Sequence, residues 1–479
     1  MIRSTKIVAT LGPASSDPQM LERMILAGVD VVRLNFSHGT AEDHIRRAEL
    51  VREVSNKTGR IVGIMADLQG PKIRVGKFRE GKVMLASGDR FILDAECKLG
   101  DQGHVGLDYP DLPRDVAPGD KLLLDDGRIE FDVVDVAGSR ITSVITHGGE
   151  LSDNKGINRK GGGLSAPALS AKDMEDIKVA SQIKCDYLAV SFPKSSADMY
   201  MARQLMRTAG GDPLLIAKIE RAEAVQEKAL GEIMSASDGI MVARGDLAVE
   251  IGDASVPALQ KRMIRQAREL NKLTITATQM MESMISSPIP TRAEVSDVAY
   301  AVLDGTDAVM LSAETARGAY PVETVESMVR ICIEAEQSQA LALDRDFLDR
   351  VFTRVDQSIA MAALFTAYHL KVKAIAALTE SGSTPLWMSR LNCGVPIYAL
   401  TSQTSTRNRC TLFRDTYPLI IGYKGHDREE LLLEAEHVLV GSGAVQEGDL
   451  IVVTIGEPIG KPGGTNTMKI VKVGENRRA

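Results

Sequence analysis

Short apolar runs that alternate with amphipathic stretches constrain this chain more than any other feature. "KIVATLGP" at the start reads as a strand, and "QMLERMILAG" reads as a helix stopped by Gly28. "VDVVRLNFS" is a second strand, residues 40–56 a second helix, and "RIVGIMADL" a third strand. The rhythm breaks at residue 70 and resumes near 171. There "YLAVSF", "LLIAKIE", "GIMVARGD", "LTITATQ" and "AVMLSAET" are apolar runs, each followed by a helical stretch. Three runs before the break and five after it make eight βα units. Eight such units favour a (β/α)8 barrel, with an open doubly wound sheet as the alternative this pattern leaves.

The 479 residues suggest about three domains. Residues 70–166 are rich in Gly, Asp and Val, with short alternating runs such as "KLLLDDGRIEFDVVDV". Asp126-Gly127 is a hairpin signal, so this segment is expected to be an inserted all-β lid, built as a β-barrel. Residues 1–69 and 167–340 are then the two parts of the barrel domain. Residues 341–479 carry a helix, "QSIAMAALFTAYHL", and strands in "AIAALTESGSTP", "PIYALTS", "LIIGYKG" and "DLIVVTIGEP". They are expected to form a C-terminal three-layer α/β domain. The net charge of −7 argues against nucleic-acid binding. Cys97, Cys185, Cys332, Cys393 and Cys410 form no CxxC pair, which speaks against zinc and disulfides and for the cytoplasm. No signal-peptide pattern or membrane-length apolar run is present.

In a (β/α)8 barrel, functional residues gather where the strands end. Strand two ends in Arg33, Asn35 and Ser37, strand three in Asp67, and strand five in Lys218 and Glu220. Strand six runs into Arg244-Gly245-Asp246, and strand seven ends at Thr278. Each alone reads as a cap, an ion pair or a strand residue. Together they place mixed charges at one mouth, which costs desolvation unless something binds there. Glu220 and Asp246 are hard oxygen donors suited to Mg²⁺ or Mn²⁺. Arg33 and Lys218 suit a phosphate, and the backbone around Gly245 suits a carboxylate. That set points to a small phosphorylated acid and phosphoryl transfer.

The motifs "LLIAKIERAE", "VVRLNFSHG", "DGIMVARGDLAVEI", "TATQMMESMI", "PTRAEVSDVA" and "MLSAETARGAYPVETV" resemble, in order, those of the pyruvate kinase family. The resemblance implies transfer of a phosphoryl group from phosphoenolpyruvate to ADP, giving ATP and pyruvate. It implies that Glu220 and Asp246 hold the divalent metal and that Lys218 and Arg33 stabilise the phosphoryl in flight. Thr278 would help bind the substrate carboxylate and lie on the proton path, with the Gly245 N–H beside it. It further implies nucleotide contacts at Asn35, His38, Arg74 and Lys155, a closing lid, and a homotetramer. Asn35, Ser37 and Asp67 match a potassium site in many members. Here, however, "DLQGPKIRVG" places Leu68 and Lys72 where potassium-dependent members usually carry Thr and Glu. An ammonium on Lys72 is expected to replace the ion, so K⁺ is expected not to be required. Bound substrate and metal, rather than each other, are expected to satisfy Lys218 and Glu220.

In "LTESGSTPLWMSR", Thr379, Ser381, Gly382, Ser383 and Thr384 precede an expected helix and could cradle a phosphate. The resemblance makes this loop an effector site; Lys461 and the nearby "PGGTN" could complete the pocket, where family members diverge, and a sugar monophosphate is the expected activator. Rival readings are a metal-dependent lyase or aldolase, a Schiff-base aldolase using Lys218, and a non-catalytic metabolite-binding protein. The first does not explain the lid, the Arg33/Lys218 pair or the last domain. The second is opposed by Glu220, which favours a charged amine. The third predicts erosion of a charged set that is complete here.

Overall fold

The computed structural model describes residues 2–338, 351–391, 393–422, 427–460 and 462–475. Eight strands lie in the first part: β1 (Lys6–Thr10), β2 (Val31–Asn35), β3 (Gly63–Asp67), β4 (Tyr187–Val190), β5 (Leu214–Ile219), β6 (Gly239–Ala243), β7 (Leu273–Ala277) and β8 (Ala308–Leu311). They close in the order β1-β8-β7-β6-β5-β4-β3-β2, so the barrel rather than the open sheet is formed. Val8 of β1 is aligned with Val31 on one side and Met310 on the other, which is the closure itself. Every barrel-strand residue except Asn35 and Leu214 is buried. Side chains fill the interior and helices cover the outside, which is why these runs are apolar without alternation.

Local chemistry sets the helix ends. The helix Pro18–Ala27 starts at Asp17, whose carboxylate accepts the Met20 N–H, and stops at Gly28 with φ 133°. A Cβ at Gly28 would sit 2.8 Å from Val329 Cγ2, so only glycine turns the chain there.

The insert leaves β3 and returns to β4. It holds a six-stranded sheet, a two-stranded ribbon of Lys82–Leu85 with Gly149–Ser152, and a four-residue helix, Leu112–Asp115. It has its own core, in which the rings of Phe91 and Phe131 lie 5.6 Å apart. The hairpin signalled by Asp126-Gly127 joins Lys121–Leu124 to Ile129–Ala137. Its turn is four residues long, and Asp125, Asp126 and Gly127 all have positive φ.

The C-terminal sheet comprises β9 (Ala374–Leu378), β10 (Ile397–Thr401), β11 (Thr416–Ile420), β12 (Leu450–Gly456) and β13 (Thr465–Lys472). Their order is β11-β10-β9-β12-β13, with β13 antiparallel. Ala374 and Ala376 face one apolar cluster while Ile375 and Ala377 face another, so both sides of the sheet are covered. Helix Arg428–Gly441 joins the cluster of Ala374 and Ala376, and helix Val355–Leu370 joins that of Ile375 and Ala377, giving three layers. The strand expected in "LIIGYKG" starts earlier, at Thr416, and residues 423–426 lie outside the described residues. The expected domain boundary at 340/341 lies outside them too.

The C-terminal domain also completes the floor of the barrel. Cys410, Leu412 and Phe413 pack into one cluster with Val8, Val31, Met65 and Tyr187. Beside them the Arg390 guanidinium pairs with Asp307, and both side chains are at most 2% exposed. Arg390 Nη1 also donates to the Lys272 carbonyl at 2.8 Å. Among the described residues no helix is long and apolar enough to cross a membrane.

Candidate active site

The polar residues expected at the strand ends meet at one end of the barrel. Asp67 closes β3 with its side chain buried. Its Oδ2 accepts from Arg33 Nε at 2.5 Å, and its Oδ1 lies 3.3 Å from Lys218 Nζ without an aligned hydrogen bond. Lys218 Nζ continues the chain to Glu220 Oε1 at 3.0 Å and to Ser191 Oγ at 2.7 Å. Arg33 Nη1 donates to Thr10 Oγ1 at 3.0 Å. Lys218 and Glu220 therefore pair directly, contrary to the sequence expectation. Two residues apart at a strand end, they share a side, and burial to 9% and 1% exposure demands a counter-charge within reach.

These contacts set the protonation states. Burial works against the Lys218 charge, yet Asp67 and then Glu220 outweigh it and hold the amine above its ordinary pKa. Burial pushes the Glu220 carboxyl up, Lys218 pulls it down, and Asp246 and Asp67 push it up again. Acid crowding around one cation is a setting that a second cation would relieve. Phe192 N–H donates to Glu220 Oε2 at 2.9 Å and fixes the carboxylate plane.

Asp246 sits in the first turn of the helix Arg244–Ile251, directly after β6. Lys72, at the outgoing hinge of the insert, reaches Asp246 Oδ1 at 3.3 Å and Asp126 Oδ1 at 3.8 Å. The ammonium is thus at the Asp246 carboxylate, reached from 174 residues away in sequence. Asn35 Oδ1 accepts the Ser37 N–H at 3.1 Å, and Leu68 is buried in the barrel core while its carbonyl accepts from Ser191 Oγ at 2.7 Å. Thr278 has φ +70°, a conformation that costs a β-branched residue about 1–3 kcal/mol. It is held by Gly245 N–H donating to its Oγ1 at 2.9 Å and by Arg244 Nη2 donating to its carbonyl at 2.7 Å.

Burial and then the charges of Arg74, Arg33, Arg317 and Lys72 lower the pKa of His38. Lys155 Nζ instead pairs with Asp125 Oδ1 at 2.6 Å, on the hairpin turn of the insert. Sequence reasoning missed Thr10, Ser191 and Arg317. The first two are polar residues at or just past the ends of β1 and β4, so the rule that found Asp67 would have found them.

Hard oxygen donors are present in Glu220 and Asp246, together with the unaligned Oδ1 of Asp67. Among the described residues no group of three His, Cys, Asp or Glu could hold a metal by itself. Such a set fits a cation that takes one or two carboxylates and fills its other positions with water and substrate.

The second expected site lies in the last domain. Gly382, with φ +83°, precedes the helix Ser383–Ser389, and its N–H donates to Thr379 Oγ1 at 2.9 Å. Ser381 Oγ donates to Ser383 Oγ at 3.1 Å, and the Thr384 and Thr465 hydroxyls are 2.7 Å apart. Thr379, Ser383 and Thr384 line a pocket of about 60 Å³ with Thr401, Ser402 and Thr465. Ser381 and Gly382 are not in its wall, and Lys461 lies outside the described residues.

Comparison with known proteins adds family evidence. Residues 2–325 match the family model described as pyruvate kinase, barrel domain, and residues 357–471 match pyruvate kinase, alpha/beta domain. The chain is 52% identical to "Pyruvate kinase II" of Salmonella typhimurium, covering 98% of this chain and 99% of that protein. It is 52% identical to a pyruvate kinase of Haemophilus influenzae, over 95% and 96% of the two chains. It is also 41% identical to one of Corynebacterium efficiens, over 100% and 99%. The chain belongs to the pyruvate kinase family and is a phosphotransferase.

Proposed function

We propose that the barrel mouth transfers the phosphoryl group of phosphoenolpyruvate to ADP, producing ATP and pyruvate. The observation that carries this reading is the buried relay Arg33–Asp67–Lys218–Glu220 facing Asp246. Asp67 holds both cations in place, so Arg33 and Lys218 present fixed positive charge to a phosphoryl group without reorganising. Lys218 stays protonated for that role. A divalent ion, Mg²⁺ or Mn²⁺, held by Glu220 and Asp246 would supply charge neutralisation on the phosphate and on the enolate oxygen. Thr278 and the Gly245 N–H already form one polar unit, which suits the substrate carboxylate and places a hydroxyl for proton delivery to the enolpyruvate carbon. Asn35, His38, Arg74 and Lys155 are assigned to the nucleotide. The cations that lower the His38 pKa support this, as does the position of Lys155 on the insert. The insert excludes water when it closes.

Asn35, Ser37, Asp67 and Leu68 are assigned to the monovalent-cation positions, and the Lys72 ammonium, which lies at Asp246 rather than among them, is assigned the positive charge that the ion would supply. A coupled assay for pyruvate from phosphoenolpyruvate and ADP is expected to show turnover that needs Mg²⁺ or Mn²⁺. Turnover should persist in buffer free of potassium. Absence of pyruvate refutes the reaction; strong activation by K⁺ refutes the role of Lys72 alone.

The hydroxyl-lined pocket at Thr379–Thr384 is assigned to a phosphorylated effector, a sugar monophosphate. At sub-saturating phosphoenolpyruvate, a panel of sugar phosphates and nucleotides is expected to yield an activator. Its effect should fall at least tenfold in Thr384→Val. The assembly is a homotetramer working in the cytoplasm, which accords with five free cysteines.

A further inference from the structure

We infer that Glu250 is a positioning residue that holds the metal-binding pair Glu220 and Asp246 in register and ties both to the return hinge of the insert. The inference rests on the reading of Glu220 and Asp246 as metal-binding residues. Glu250 lies four residues after Asp246 on the helix Arg244–Ile251, hence on the same face. It is buried, and its Oε2 accepts the Ala222 N–H at 2.8 Å, two residues beyond Glu220. One carboxylate thus bridges the segment that carries one metal-binding acid to the helix that carries the other.

The same residue meets the insert on its way back to the barrel. The Glu250 carbonyl accepts the Gly161 N–H at 3.0 Å, and Asn158 lines the same small cavity as Glu250. The neighbours of Ala222 strengthen the joint: the Glu223 carboxylate accepts the Gly163 N–H, and Arg221 Nη1 donates to the Leu164 carbonyl at 3.3 Å. Gly162 has φ +80°, and a Cβ there would lie 2.5 Å from Glu223 Oε2, so the return segment is moulded to this acid. A cavity of about 10 Å³ beside the joint is walled by both hinge segments, Lys72 and Ile73 on one side and Ile157 and Asn158 on the other. The return hinge is thus bonded to Glu250, and the outgoing hinge faces it across this cavity. Burial pushes its carboxyl up to about 7, against the Ala222 N–H and Arg221. Gln at this position removes the titration and keeps an acceptor.

The test is Mn²⁺ binding to the full chain without substrates, read as free Mn²⁺ by electron paramagnetic resonance, for wild type, Glu250→Ala and Glu250→Gln. Glu250→Ala is expected to weaken Mn²⁺ about tenfold, the range typical of residues that orient metal ligands, and Glu250→Gln less than threefold. Mn²⁺ affinity in Glu250→Ala within twofold of wild type, or equal losses in both variants, overturns the inference. Amide exchange in the wild type covers the case in which Glu250→Ala does not fold. Mn²⁺ is expected to slow exchange at both Ala222 and Gly161, because coupling between two sites is reciprocal. Unchanged exchange at Gly161 overturns the link to the insert. A wild-type chain that binds no Mn²⁺ and makes no pyruvate overturns the parent reading instead.

Discussion

Lys218→Met is expected to keep the fold and lower kcat for pyruvate formation by roughly a thousandfold, at the upper end of what one preorganised charged donor contributes. Methionine fills the volume of the lysine stem and removes only the ammonium. Asp67 retains its bond to Arg33, and Glu220, which keeps the Phe192 N–H but loses its counter-charge, takes up a proton rather than remaining a lone buried anion. The variant should show an unchanged circular dichroism spectrum and a thermal midpoint within a few degrees of wild type. Its KM for phosphoenolpyruvate should move far less than kcat, because the lost contact strengthens as charge moves to the leaving and entering oxygens. Turnover within tenfold of wild type would remove Lys218 from the chemistry.

Arg390→Met should be the most destabilising single change considered, at about 3–5 kcal/mol, because it strands a buried charge. Asp307 would keep the N–H groups of Thr274 and Arg414 but lose its guanidinium partner. The Lys272 carbonyl would lose its donor as well. Adding Asp307→Asn to Arg390→Met should restore part of the loss, since a neutral amide is cheaper to bury than a lone carboxylate. Urea-denaturation midpoints for the single and double variants measure this. A single-variant loss below about 1 kcal/mol would show that the pair is not a structural lock.

The barrel was legible because its strands are buried on both faces and carry apolar runs broken only where they end. Asp67, Lys218, Glu220, Arg33 and Thr278 announced themselves as polar interruptions at those ends. What stayed hidden was pairing across long sequence separations. Lys72 reads locally as a hinge lysine, and nothing near it reveals Asp246. Arg390 reads as the end of a short helix, and Asp307 as the residue before a strand. Strand β13, "TNTMKIVK", is an edge strand with few buried positions, so hydrophobicity does not mark it. The strand in "LIIGYKG" begins earlier than hydrophobicity indicates, because Leu419, Ile420 and Ile421 outweigh the preceding "TYP". The left-handed backbone at Thr278 has no sequence signature at all.

The floor of the barrel bears on how this protein could be divided. A (β/α)8 barrel is usually self-sufficient, with a plugged interior of its own. Here the lowest interior layer is finished by Leu412 and Phe413, and the Tyr187 hydroxyl donates to the Arg409 carbonyl at 2.7 Å. An excised barrel ending at residue 338 would open an apolar cup to water and leave Asp307 without its counter-ion. The unit of inheritance and of engineering is therefore the whole chain, while the insert, with its separate core, is the one portion that could be exchanged as a cassette.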